Sequence, residues 1–167
     1  GDNNIIRTEW EKDASLYVEH FPSYRAISWA DSAGHLQWIV PLRGNGELQN
    51  LDVFANRPKT PLGMTDRKDD VGVSPVMDLA QSEKVIFVYI PIFDGTDEIK
   101  GYIVGVFPIT RLWDYILKDN AFHDISVRLY EDKQEIYRQA NYKEAVENLD
   151  NEVVVNFYGI SWRMQVR

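Results

Sequence analysis

No cysteine occurs among the 167 residues. Disulfide staples, thiolate metal sites and cysteine nucleophiles are excluded together, and the lack by itself assigns no compartment. Long apolar runs are missing as well. No window approaches the ~18 apolar residues that would span a bilayer, and no signal peptide is recognisable. With Gly1 opening in mid-pattern, the chain is expected to be a piece excised from between flanking membrane anchors.

Positive charge is in the minority, 18 Lys and Arg against 26 Asp and Glu, for a net charge of −8. Such a balance repels nucleic-acid phosphates and anionic membrane faces, and no compensating basic stripe exists. The basic residues are scattered, apart from Arg57, Lys59, Arg67 and Lys68 in one loop.

Catalytic and metal-binding patterns are equally scarce. His20, His35 and His123 lie far apart and form no H-x-x-x-H spacing. The acidic runs at Asp66, Asp69 and Asp70, and at Asp94, Asp97 and Glu98, miss the calcium-loop spacing and read as solvated turns. Gly44-Asn-Gly46 lacks the Lys-Ser/Thr of a phosphate loop, and neither Ser74 nor Ser161 has a G-x-S-x-G context. The five tryptophans are distributed as single core positions. No catalytic residue, metal or cofactor is expected, and the chain reads as a non-enzymatic fragment.

What is present is globular. A content of 44% hydrophobic and 13% aromatic residues supports a packed core, and a chain of this size buries roughly 70% of its unfolded surface. Ile6, Trp10, Ala14, Tyr17 or Val18, and Phe21 recur at helical spacing, which predicts an amphipathic helix over 3–19. Phe21-Pro22 stops it, because the residue before proline disfavours helical torsions. A hairpin follows, Arg25–Ala30 and His35–Val40, joined by the turn Asp31-Ser-Ala-Gly34. Residues 41–83 are irregular, with a short helix expected near Leu48–Asn56, and a connection this long is usually functional.

A second hairpin pairs Val85–Phe93 with Ile99–Pro108. Thr110 is expected to cap a two-turn helix, and the tail alternates as strands: Ile125–Glu131, Glu135–Gln139, Val153–Tyr158 and Ser161–Arg167. A short helix is expected near Tyr142–Leu149. The order predicts an α+β domain with one antiparallel sheet in PAS-like order. An N-terminal helix over 1–20 precedes a PAS-like domain over 21–167.

If Phe93 pairs with Ile99, simple antiparallel register sets Phe87 opposite Gly105 and Tyr89 opposite Ile103. One face then holds Ile86, Val88 and Ile90 with Val106, Val104 and Tyr102, under the N-terminal helix. The other holds Phe87, Tyr89 and Phe107 beside Gly101 and Gly105. Glycine within a strand often marks close approach of a ligand or another backbone. An apolar concavity covered by segment 41–83 is therefore expected, and such a hollow is the usual form of a small-molecule site. The alternative is that the crossing segment fills the hollow with its own side chains.

At Phe21-Pro22-x-x-Arg25-Ala-Ile-Ser-Trp29, Val73-Ser74-Pro75-x-x-Asp78-Leu79, Val88-Tyr-Ile-Pro-Ile-Phe93 and Gly101-Tyr-Ile-Val-Gly-Val-Phe107, the chain resembles the CHASE family. These are extracytoplasmic sensor domains of histidine kinases, cyclases and related receptors, including the plant cytokinin receptors. The resemblance covers about residues 21–118. It implies a PAS-like sheet with a small-molecule pocket, held between two transmembrane helices as the only membrane contact. Homodimerisation through the N-terminal helix is expected in the intact receptor. It puts Asp52 of Leu51-Asp52, Ser74 of Ser74-Pro75, Tyr89 and Gly105 at the pocket. Tyr89 stands where the plant receptors often carry Thr and would crowd such a pocket, so cytokinin itself is not expected. The N-terminal helix is shorter than in those receptors, and the tail 119–167 matches less well. The rival reading is a PAS-like protein-interaction module with a side-chain-filled cavity and no small ligand.

Overall fold

The computed structural model describes residues 2–55, 71–142 and 151–167. Helix α1 (Asp2–His20) forms as the spacing predicts. Trp10, Ala14 and Val18, four residues apart, make one stripe that packs on Ile27, Val40 and Ile103. The Trp10 ring meets Trp38 at 5.7 Å, and the Arg7 guanidinium lies 5.6 Å over the same Trp38 ring. The Phe21 amide still bonds to the Tyr17 carbonyl, at 3.0 Å, before Pro22 ends the helix.

Strands β1 (Ala26–Asp31), β2 (Leu36–Val40), β3 (Gly72–Val73), β4 (Met77–Asp78), β5 (Lys84–Phe93) and β6 (Ile99–Pro108) form the first sheet. Its order is β2-β1-β6-β5-β3, with β4 also on β5, and every pair is antiparallel. The β1–β2 turn is built by Asp31, whose carboxylate takes the Ala33 and His35 amides at 3.0 Å each, with Gly34 at φ +89°.

The central hairpin departs from the simple register. Phe93 pairs with Ile99, but Ile92 pairs with Gly101, so Lys100 is the extra residue of a β-bulge. From there Tyr89 faces Val104, Val88 faces Gly105 and Phe87 faces Val106. A slip of one residue exchanges faces. Phe87 and Tyr89 thus share a face with Tyr102, Val104 and Val106. Ile86, Val88 and Ile90 share the other with Ile103, Gly105 and Phe107. The expected grouping of Phe87 and Tyr89 with Gly101, Gly105 and Phe107 is corrected.

The crossing segment covers the first of these faces, as expected, and α1 lies on the second. The helix expected near Leu48–Asn56 does not form. A 3-10 turn spans Gly46–Leu48, after which the chain bonds to β2: Leu36 N–H to the Leu51 carbonyl and Asn50 N–H to the Leu36 carbonyl, both 2.9 Å. Those bonds to β2 replace the helical ladder. The part from 56 to 70, including Arg57, Lys59, Arg67 and Lys68, lies outside the described residues.

Helix α2 (Ile109–Ile116) follows β6 directly, with Pro108 rather than Thr110 at its N-cap. The tail does not extend the first sheet. Strands β7 (Val127–Glu131), β8 (Gln134–Arg138), β9 (Asn151–Phe157) and β10 (Ile160–Val166) build a second antiparallel sheet in the order β8-β7-β10-β9. The helix expected at 142–149 falls almost wholly outside the described residues. Leu129, Ile136 and Trp162 of this sheet pack with α2 against Ile86 and Val73 of the first, which joins the two sheets through a second core. Each fully buried aliphatic side chain contributes roughly 1.5–3 kcal/mol there.

Candidate functional site

Under the crossing segment lies a patch of aromatic rings. Phe87 and Tyr89 are 0% and 1% exposed. Phe54 meets Tyr89 and Tyr102 edge-on at 5.2 Å each, and the two tyrosines meet edge-on at 6.0 Å. These are favourable edge-to-face contacts. Two glycines permit the arrangement. A Cβ on Gly72 would lie 2.0 Å from the Tyr89 ring, and one on Gly34 would lie 2.4 Å from Phe54. The rings lie against bare backbone.

Local hydrogen bonds hold these rings. The Asp52 carboxylate accepts the Phe54 amide at 2.8 Å, an Asx turn that presents the Phe54 ring to the sheet. Ser74, 1% exposed, takes the Phe87 amide on its hydroxyl at 2.9 Å and donates to the Pro75 carbonyl at 2.9 Å. Its own amide bonds to the Phe87 carbonyl at 2.8 Å. Ser74 thereby stitches the crossing segment to β5.

Both described ends of that segment meet at Arg25, whose side chain is 11% exposed. Its Nε donates to Asn45 at 2.7 Å, one terminal nitrogen donates to Glu83 at 2.9 Å, and the other reaches Glu47. Glu47 also accepts the Ala80 amide at 3.0 Å. The Arg25 hydrogen bond holds the Glu47 carboxyl below the usual range. Beside this clamp is an open polar cleft of about 460 Å³, reached also by Arg111. Among the described residues no group of three or more His, Asp or Glu could hold a metal ion.

No family model matches the chain, and no curated protein does. Solved structures do. An extracellular ligand-binding receptor from Desulfohalobium retbaense superposes over 92% of this chain with TM-score 0.64 and 12% identity, and the chain spans 32% of that protein's length. A domain ascribed to a sensory box/GGDEF family protein of Vibrio parahaemolyticus matches over 96% of this chain and 77% of its own, with TM-score 0.64 and 13% identity. An extracellular domain ascribed to a histidine kinase matches over 98% and 73%, with TM-score 0.58 and 12% identity. The fold is that of extracellular sensor domains.

Within this sensor fold, the seven residues expected at the pocket divide between surfaces. Phe87, Tyr89, Ser74 and Asp52 lie on the crossing-segment side. Gly101, Gly105 and Phe107 lie on the face turned toward α1. There a Cβ on Gly101 would strike the Ala30 carbonyl at 2.4 Å, and one on Gly105 would meet Phe107 at 2.8 Å and Tyr24 at 3.1 Å. The hollow beside Gly105 measures about 90 Å³, bounded by Tyr24, Ile27, Val88, Ile90 and Ile103. That is well below the roughly 300 Å³ at which small-molecule sites begin. Sequence reasoning missed Phe54, Gly72, Tyr102 and the Arg25 clamp as site-forming residues. A glycine paired across strands with an aromatic, as Gly72 is with Tyr89, is the signal that could have found part of it.

Proposed function

We propose that this chain is an extracytoplasmic small-molecule-binding sensor domain of a transmembrane receptor of the histidine kinase or cyclase class. One observation carries the reading: an uncharged patch of three aromatic rings, Phe54, Tyr89 and Tyr102, under a segment clamped at both ends by Arg25. The fold shared with extracellular sensor domains supports it. A flat, largely apolar ligand would take the place of the Phe54 ring and meet the mutually perpendicular Tyr89 and Tyr102 rings edge-on, as Phe54 does. The Asp52 carboxylate, two residues from Phe54, would accept a hydrogen bond from an amine or ring N–H of that ligand. Among the described residues no helix is long and apolar enough to cross a membrane. The narrower CHASE reading rests on the order of the Ser74-Pro75, Leu51-Asp52 and β5–β6 motifs.

A signal needs only a ligand that binds one conformation better than another. A differential affinity of about 1–3 kcal/mol shifts the equilibrium five- to 150-fold. A second reading has its own support: Phe54, Tyr89 and Tyr102 already touch one another, which suits an interaction module with a filled cavity. Thermal melts across a metabolite library separate the two. A ligand at 100 times its dissociation constant adds about 2.7 kcal/mol, and Phe54→Ala should strengthen that response by removing the competing ring. No stabilisation by any metabolite, in wild type or in Phe54→Ala, would decide for the interaction module.

A further inference from the structure

We propose that strand β9 is the seam of a symmetric dimer, in which a second copy of this chain adds its own β9 antiparallel to the first. β9 lies at the edge of the second sheet, and among the described residues no strand pairs with its outer side. Val153, Val154 and Val155 are 50%, 56% and 37% exposed. Natural edge strands are usually blunted by charge, proline, bulges, brevity or a covering segment. The other edges here are. β2 is bonded by Asn50 and Leu51, β3 has two residues, and β8 carries Glu135 and Arg138. β9 has seven residues and one charge, Glu152, which is held by Arg163 at 3.1 Å.

The hydrogen-bonding parity selects the occupant. β9 and β10 are joined by Tyr158-Gly159, at φ 45° and 77°, a two-residue turn of the primed type that closes on the Phe157–Ile160 pair. Alternation from that hydrogen-bonded pair directs the amides and carbonyls of Glu152, Val154 and Asn156 away from β10. A two-fold axis through Val154 sets Val154 opposite its own copy and Glu152 opposite Asn156. Outward-directed residues then meet outward-directed residues at three successive pairs. On the other face Val153 falls opposite Val155. The one acidic side chain never faces itself, and each valine lies opposite a valine, which suits an isologous interface.

The test uses the whole chain. Sedimentation from micromolar to millimolar concentration should show a monomer–dimer equilibrium. Val154→Pro removes only an amide that points away from β10, so it should leave circular dichroism unchanged and abolish the dimer. Val154→Lys, which opposes like charges, should do the same. Because the chain has no cysteine, Val154→Cys can form only an intermolecular disulfide. A hydrogen-bonded antiparallel pair separates Cα atoms by about 5.5 Å, within disulfide reach, so oxidation should give covalent dimer much faster than the exposed-site reference Tyr115→Cys. A wild-type monomer at millimolar concentration overturns the proposal. So does a dimer that survives Val154→Pro and Val154→Lys but is lost in Tyr17→Asp, which would assign the contact to α1, or a Val154→Cys rate no greater than the reference.

Discussion

The Glu131 carboxylate accepts a hydrogen bond from the Val76 amide, 3.0 Å away, across the junction between the crossing segment and the second sheet. It also takes the indole N–H of Trp162 at 2.8 Å. One carboxylate therefore ties the segment beside Ser74 to strand β10. If the crossing segment moves, as the proposed sensor role requires, this carboxylate would carry the movement to β10.

Glu131→Ala is expected to cost about 1.5–3 kcal/mol, the usual size for hydrogen bonds to a charged group. The loss should be local. Hydrogen exchange at Val76 and at the Trp162 indole should rise well above that of the β5–β6 amides. If both stay protected while global stability falls, Glu131 is ordinary packing and the proposed route is wrong.

Gly72 and Gly105 separate the two faces of the first sheet. Gly72→Ala drives a methyl into the Tyr89 ring, which Phe54 and Tyr102 prevent from moving aside. A loss of about 1–3 kcal/mol is expected, as for overpacked cores. Adding Tyr89→Ala should recover part of it, giving a coupling of about 0.5–3 kcal/mol in a double-mutant cycle by urea denaturation. Gly105→Val should destabilise through Tyr24 and Phe107 and leave the Phe54–Tyr89–Tyr102 cluster intact. Additive Gly72 and Tyr89 effects would refute the close packing.

The difference between those glycines explains what could be read from the residues. Helix α1, both hairpins and the tail strands follow from local pattern and turn chemistry, and each forms within a few residues of its expected bounds. The faces of β5 were not legible. Ile86, Val88 and Ile90 are as apolar as Phe87 and Tyr89, although Ile90 is 45% exposed, so no alternation reports which set goes where. The bulge at Lys100 decides it, and no turn residue in the sequence marks that position. The second sheet was illegible for a related reason. Alternating strands in the tail look the same whether they extend one sheet or found another. The ring partners of Phe54 and the side-chain partners of Arg25 lie twenty or more residues away.

Asp52 now has two roles to distinguish. As the acceptor of the Phe54 amide it shapes a turn. Asp52→Ala should then cost about 1 kcal/mol, whereas Asp52→Asn, which keeps an acceptor, should cost little. A carboxylate that meets a cationic or N–H ligand predicts a different pattern, with affinity falling in both variants while Asn preserves the melting temperature. Calorimetric titration and melts on the same pair separate the roles. Equal affinity in wild type and Asp52→Asn would remove the charge from ligand recognition.

Acid should loosen the crossing segment through Glu47. Its hydrogen bond to Arg25 places its folded pKa below the ordinary 4.5. A depressed carboxyl contributes stability that is fully present above the unfolded pKa and is lost as pH falls through the folded one. The loss therefore belongs below 4.5, not near neutrality. Glu135, depressed by Arg138 and then Arg128, and Asp94, depressed by Thr96, contribute to the same limb. Glu47→Gln should lower stability at neutral pH and flatten, without abolishing, the fall in urea midpoint as pH drops below 4.5. Arg25→Met should return the Glu47 carboxyl toward 4.5 in an NMR titration, since it removes the bond that depresses it. An acid limb equally steep in wild type and Glu47→Gln would mean that the clamp carries none of the acid sensitivity.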